Sequence, residues 1–207
     1  MSSASDAYRA GRAAVVTLAR RTIEADTLDT EVRRHVPRRA RRRPTPDTPD
    51  GLLPDTHLDV IRRVAALLLA NEALLDAATG GDTAQLDAAS EAIEHEVAGL
   101  DATTALDRFT VSADRFLERV DADPNLAVDH VYPVARTAAD LVAFVGVELH
   151  LVARMLDPTY RPDDPRTLMR LYNGALRPVL GHGLESWASE RVKPWRGLVI
   201  RRGLAWP

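Results

Sequence analysis

The chain has no cysteine, which excludes a disulfide framework, thiolate metal sites and a cysteine nucleophile at once. Lysine is nearly missing as well: Lys193 is the only one among 27 basic residues, so positive charge here means arginine. No apolar run is long enough to span a bilayer. The stretch Ala13–Ala19 is too short for a secretion signal and runs into Arg20-Arg21 instead of a small-residue cleavage site, so a cytosolic location is expected. The catalytic fingerprints that can be read from spacing are absent. There is no P-loop, Gly-x-Gly-x-x-Gly turn, His-Glu-x-x-His zinc motif or Gly-x-Ser-x-Gly elbow. A four-helix di-iron site needs Glu-x-x-His on two helices, and none occurs. Glu91/His95 and Glu31/His35 are four apart, and both read as solvated pairs. No cofactor is implied by any specific motif, and the balance leans away from an enzyme.

What is present is helical periodicity and a segregated charge. At 207 residues, 45% apolar and 28% charged, the chain has the size and composition of one soluble domain with appendages. Its net charge of −3 conceals a basic head, an acidic middle and a basic tail. Residues 1–43 hold 11 bases and 5 acids, residues 44–157 hold 7 bases and 21 acids, and residues 158–207 hold 9 bases and 4 acids. Such a field acts on encounter and solubility, not on fold.

The apolar spacing predicts an all-α single bundle of six or seven helices, with a long Pro/Arg-rich loop after the N-terminal helix. The first helix is expected over Ser5–Ile23, with a shorter helical piece over Leu28–Val36. Residues 37–54 carry five prolines and five arginines and cannot form a regular element. Thr56–Thr79 follows, capped by Asp55 or Thr56 and apolar on two rows, as a central helix requires. Asp82–Leu100 and Ala102–Val120 each show one apolar stripe, and their short link predicts antiparallel neighbours. A long helix is expected over Leu126–Leu156 with Pro133 as a kink or fresh start, its run Leu141–Val147 being the most buried. Asp164 and Pro165 suit a helix start. The domain reading is therefore a helical segment at 1–36, a loop at 37–55, a bundle core at 56–193 and a basic, Trp-containing tail at 194–207.

Three sets of polar residues are candidates for function. On a helical wheel Glu148 falls among Leu141, Phe144, Val152 and Met155, about 120° from the stripe of Arg136, Asp140, His150 and Arg154. A carboxylate in that place is either buried, and then needs a partner, a proton or a role as ligand or acid–base, or it reaches solvent at the bundle edge. Asn71 sits on the Val64-Leu68-Leu75 seam, where asparagine commonly sets register or oligomeric state, including that of a homo-oligomer. Glu72 lies beside it, so Glu148, Glu72 and Asn71 form the catalytic or ligand-binding alternative. His182 and Glu185, three apart and flanked by Gly181 and Gly183, are weak metal candidates, with plain helix packing the commoner meaning.

The third set is basic. Arg38, Arg39, Arg41, Arg42 and Arg43 lie in a run holding seven arginines across residues 33–43, and Arg201, Arg202 and Trp206 close the tail. Guanidinium groups match phosphates and carboxylates as planar forks, and interleaved aromatics stack or dock. The pI of 6.1 and the absence of a helix-turn-helix pattern weigh against a dedicated nucleic-acid domain. The expected function is thus a non-enzymatic binding or regulatory module that recognises an anionic or protein partner through its loop and tail. The alternative is a small-ligand binder or enzyme with a polar or metal site around Glu148.

Overall fold

Four helices of this protein begin with a side chain that satisfies their first backbone N–H groups. In the computed structural model, which describes residues 3–32, 56–80, 86–128, 135–168 and 170–171 (the side chain of Asp87 excepted), five helices are defined. They are α1 (Ser3–Glu24), α2 (His57–Ala78), α3 (Leu86–Ala98), α4 (Ala102–Ala122) and α5 (Ala138–Leu156). A sixth starts at residue 165. No strand occurs among the described residues. Thr56 and Thr137 form reciprocal capping boxes with Asp59 and Asp140 at the starts of α2 and α5. Asp101 caps α4 by accepting from the Thr104 N–H at 2.9 Å, and Asp164 accepts from the Thr167 N–H at 2.9 Å. At the far end of α1, Asp26 takes a positive φ of 53° and Thr27 N donates back to the Thr22 carbonyl, a turn that ends the helix without glycine.

One device appears twice and corrects two helix expectations. Before α2, residues 28–31 are not helical. His57 N and Leu58 N donate to the carbonyls of Thr30 and Leu28, each at 3.1 Å, and Glu31 pairs with Thr56 as an antiparallel bridge. Before α5, Ala138 N and Ala139 N donate to the carbonyls of Leu126 and Pro124, and Ala127 pairs with Thr137. The first N–H groups of a helix have no acceptor inside it. In both places the preceding chain, a turn followed by a bridge residue, supplies one. That is why helix does not continue from Leu126 and why α5 starts afresh at Ala138.

The helices alternate in direction. Arg62 of α2 reaches the Leu100 carbonyl at the start of α4, and Arg119 near the end of α4 reaches the Glu72 carbonyl, so α2 and α4 run parallel. α1 packs along α5, and α4 lies against α2 and α1. The short link Gly99–Asp101 does not make α3 and α4 close antiparallel neighbours. Instead α3 lies on α2, and the hydrogen bond from Arg62 ties the link to α2 as well. Arg108–Glu96, at 3.1 Å, spans the opening between α3 and α4.

The core is one cluster. Tyr8, Val15, Ile61, Leu68, Leu75, Phe109, Phe116, Leu141 and Leu149 are fully buried in it, with the Tyr8 and Phe116 rings 5.6 Å apart. In α5 only Ala139, Asp140 and Arg154 escape burial, as the unbroken apolar run foretells. Two glycines let α1 and α5 approach closely. A Cβ on Gly11 would stand 2.9 Å from the Leu149 Cβ, and one on Gly146 would stand 3.1 Å from the Tyr8 nitrogen.

Candidate functional site

The polar residues singled out in the sequence are placed as follows. Glu148 is 3% exposed on α5, within its apolar surround, and is not without a polar or electrostatic partner. Asn71, also buried, donates from Nδ2 to the Leu67 carbonyl of its own helix at 2.8 Å. Glu72 is half-buried, and its Oε1 is shut off from solvent with no hydrogen bond among the described residues. His182, Glu185, Arg38, Arg39, Arg41, Arg42, Arg43, Arg201, Arg202 and Trp206 lie outside the described residues. Among the described residues no group of three histidine, aspartate or glutamate side chains stands close enough to hold a metal ion. No helix among them is long and apolar enough to cross a membrane.

A polar junction forms where α1, α2 and α4 meet, around a residue the sequence did not suggest. The Tyr8 hydroxyl, fully buried, donates to the Ala113 carbonyl at 2.8 Å. Burial pushes this phenol well above its ordinary pKa, and Asp114 and Glu72 push the same way against Arg12. Arg12 in turn holds Asp114 at 2.6 Å, and Arg119 holds Asp76 at 2.7 Å while reaching the Glu72 carbonyl. The phenol therefore stays neutral at any physiological pH. It is a hydrogen-bond donor that locks α1 to α4, not a proton-transfer group. Ser112, on the same helix and 2% exposed, adds a hydroxyl with no hydrogen-bond partner among the described residues.

A second polar connection passes through His150. This side chain is 3% exposed and bridges two elements. Its Nε2 lies 3.0 Å from the Ala7 carbonyl of α1, and its Nδ1 lies 2.7 Å from the Tyr160 hydroxyl in the loop after α5. A carbonyl only accepts, so Nε2 carries the proton and Nδ1 accepts from the Tyr160 O–H. Burial lowers the His150 pKa, opposed by the Ala7 hydrogen bond and by Asp163. On the wheel His150 shares a stripe with Arg154, which gives no hint of this burial. The signal was the long loop DPTYRPDDP, whose Tyr160 folds back over the ring at 6.0 Å between centroids.

The geometry that bears most on the arginines is the bridge before α2. Val32, buried, and Thr56 are the described residues on either side of the segment that holds the arginine run. Glu31 pairs with Thr56, and the His57 ring reaches the Thr27 carbonyl at 3.1 Å, so the described residues on either side of that segment lie side by side. The described residues hold 23 acids and 14 bases, leaving 7 acids and 13 bases elsewhere in the chain. Within the described body Arg9, Arg12, Arg108 and Arg119 are matched to carboxylates at 2.6–3.3 Å. No protein-family model, curated protein or solved structure matches the chain.

Proposed function

We propose that this protein is a non-enzymatic binding or regulatory module that engages an anionic or protein partner through its arginine-rich segments. The observation that carries this reading is the clamp of residues 28–31 on 56–58, which mounts both ends of the arginine-bearing segment on a rigid helical body. Binding residues commonly sit on loops held by a rigid scaffold. The charge distribution supports the same reading. Four body arginines, Arg9, Arg12, Arg108 and Arg119, pair with body carboxylates, and a further seven arginines fall within 33–43, where only Asp47, Asp50 and Asp55 accompany them before α2. A guanidinium cluster of that density recognises phosphate or carboxylate groups by bidentate, charge-assisted hydrogen bonds.

The test is fluorescence anisotropy of the full chain against labelled duplex DNA, single-stranded RNA and polyglutamate over a salt series. The comparison is a variant with Arg38, Arg39, Arg41, Arg42 and Arg43 all changed to glutamine. If all five contact duplex phosphates, log affinity falls with log salt at a slope of roughly −4 to −5, and the variant loses most of it. Preference for polyglutamate assigns a protein partner instead. If wild type and variant are indistinguishable on all three probes, the reading fails.

A second reading, a small-ligand binder or enzyme centred on Glu148, has one observation in its favour: a carboxylate 3% exposed in the most apolar helix. Metal analysis of the purified protein, together with substrate-independent ligand screens on Glu148→Gln, tests it.

A further inference from the structure

His150 stands where the early part of α1, the second half of α5 and the loop of residues 157–164 meet. It lies apart from the arginine-rich segments, and no function proposed for them uses it. Its two ring nitrogens serve two different elements. Nε2 donates to the Ala7 carbonyl at 3.0 Å, and Nδ1 accepts from the Tyr160 hydroxyl at 2.7 Å.

The two sides of this bridge are built differently. On the α1 side backbone closes over the ring. A Cβ on Gly11 would stand 3.2 Å from the His150 Cδ2, and the approach of Gly11 and Gly146 seats α1 on α5. On the other side the loop holds by side chains. Tyr160, half-buried, lies nearly parallel to the imidazole at 6.0 Å, and Pro162 is buried, while Pro158, Thr159, Arg161, Asp163 and Asp164 are exposed. Neutral His150 suits both partners. A second ring proton belongs on Nδ1, where Tyr160 now donates. The Tyr160 oxygen can accept from it, but its own proton then loses its acceptor. A cation is left 3% exposed between a carbonyl and a phenol. Among the described residues the charged groups around it are Asp163, in the exposed part of the loop, and Arg154, one turn along α5, while α1 meets it with the Ala7 carbonyl and Gly11.

We propose that His150 is an acid-sensitive latch, which holds the loop of residues 157–164 against α1 when neutral and releases it when protonated. The charged ring reaches water most directly when the loop lifts, because parting α1 from α5 breaks the glycine-lined seam. The open form binds a proton that the closed form excludes, so opening becomes easier as pH falls below the ordinary histidine value of about 6.5. Burial lowers the His150 pKa in the closed form, against the Ala7 hydrogen bond and Asp163, which is the direction the latch requires. Asp157 and Asp164 do not share this window. Hydrogen bonds from Thr159 and Thr167 hold their carboxyls below the ordinary aspartate value, so both stay ionised throughout.

The experiment is amide hydrogen exchange of the full chain at about pH 7.5 and about pH 5.5, each rate divided by its intrinsic rate to give an opening constant. The Tyr160 N–H, bonded to the Asp157 carbonyl at 3.0 Å, reports the loop, and the Leu149 N–H inside α5 reports opening of the bundle. The expected result is a larger opening constant at Tyr160 than at Leu149 at both pH values, rising roughly five- to tenfold on acidification. His150→Gln abolishes the rise. Should that variant not fold, Tyr160→Phe removes only the hydroxyl that favours the neutral ring; it raises the opening constant at position 160 at the higher pH and shrinks the rise. An opening constant at Tyr160 that does not change with pH overturns the latch, because the loop then opens without freeing the ring. Equal constants at Tyr160 and Leu149 overturn it as well, because only unfolding of the bundle then frees the ring. A rise that survives His150→Gln assigns the effect to another group.

Discussion

Replacing Gly11 by alanine sets two effects of known sign against each other in α1. Alanine is the better helix former, and in a helix interior the exchange is worth about 1 kcal/mol in its favour. The new methyl group, however, lands 2.9 Å from the Leu149 Cβ, 3.1 Å from the Gly146 carbonyl oxygen and 3.2 Å from the His150 Cδ2. The first two are a backbone-anchored atom and a backbone oxygen, and neither is the end of a flexible side chain. Relief requires α1 and α5 to separate, and overpacking of this kind costs about 1–3 kcal/mol. With the clash at the upper end of that range, the net loss is about 2 kcal/mol. For a chain of this size that lowers Tm by roughly 4–8 °C. Ala13→Gly, at an exposed position of the same helix, calibrates the propensity alone and is expected to cost about 1 kcal/mol. Urea unfolding followed by circular dichroism reads both. A Gly11→Ala protein as stable as wild type, or more so, would refute the close α1–α5 approach.

Three other outcomes are expected. His150 is held neutral by burial, so its contribution is complete above the ordinary histidine pKa and declines as pH falls through that value toward the lower folded one; His150→Gln should flatten the change in urea midpoint between pH 8 and pH 5. Tyr8→Phe removes the buried hydroxyl that donates to the Ala113 carbonyl and should cost about 0.5–1.5 kcal/mol in the same unfolding assay. Thr137→Ala breaks the capping box of α5 and should cost about 1 kcal/mol, while the corresponding Thr137→Ser change should cost less.

Most helix positions were legible because their signals are local. Asp101 and Asp164 announce α4 and the sixth helix by the side-chain oxygens they offer to N–H groups three residues on. The stripe Leu106-Phe109-Ala113-Phe116-Val120 announces which face of α4 is buried. The sequence placed Glu148 among Leu141, Phe144, Val152 and Met155 and left open whether it is buried or at the rim; the fold buries it. The expectations that failed all concerned chain that packs on something distant. Residues 28–31 and 126–128 have compositions that permit helix, and they stay non-helical where the carbonyls of Leu28, Thr30, Pro124 and Leu126 complete the first turns of α2 and α5.

By itself the sequence determined an all-α chain, the caps that start its helices, the apolar faces that are buried, and an excess of arginine in the segment before α2. Each of these follows from residues within a few positions of one another. Only the tertiary structure decided that α3 lies on α2 instead of α4, that Tyr8 locks α1 to α4, and that His150 is a buried bridge from Ala7 to Tyr160. It also brought Arg9 to Asp121, 112 positions away, across a cavity. Those arrangements depend on where helix axes cross, and the crossing of α1 and α5 is set by Gly11 and Gly146, which carry no side chain and leave no periodic signal.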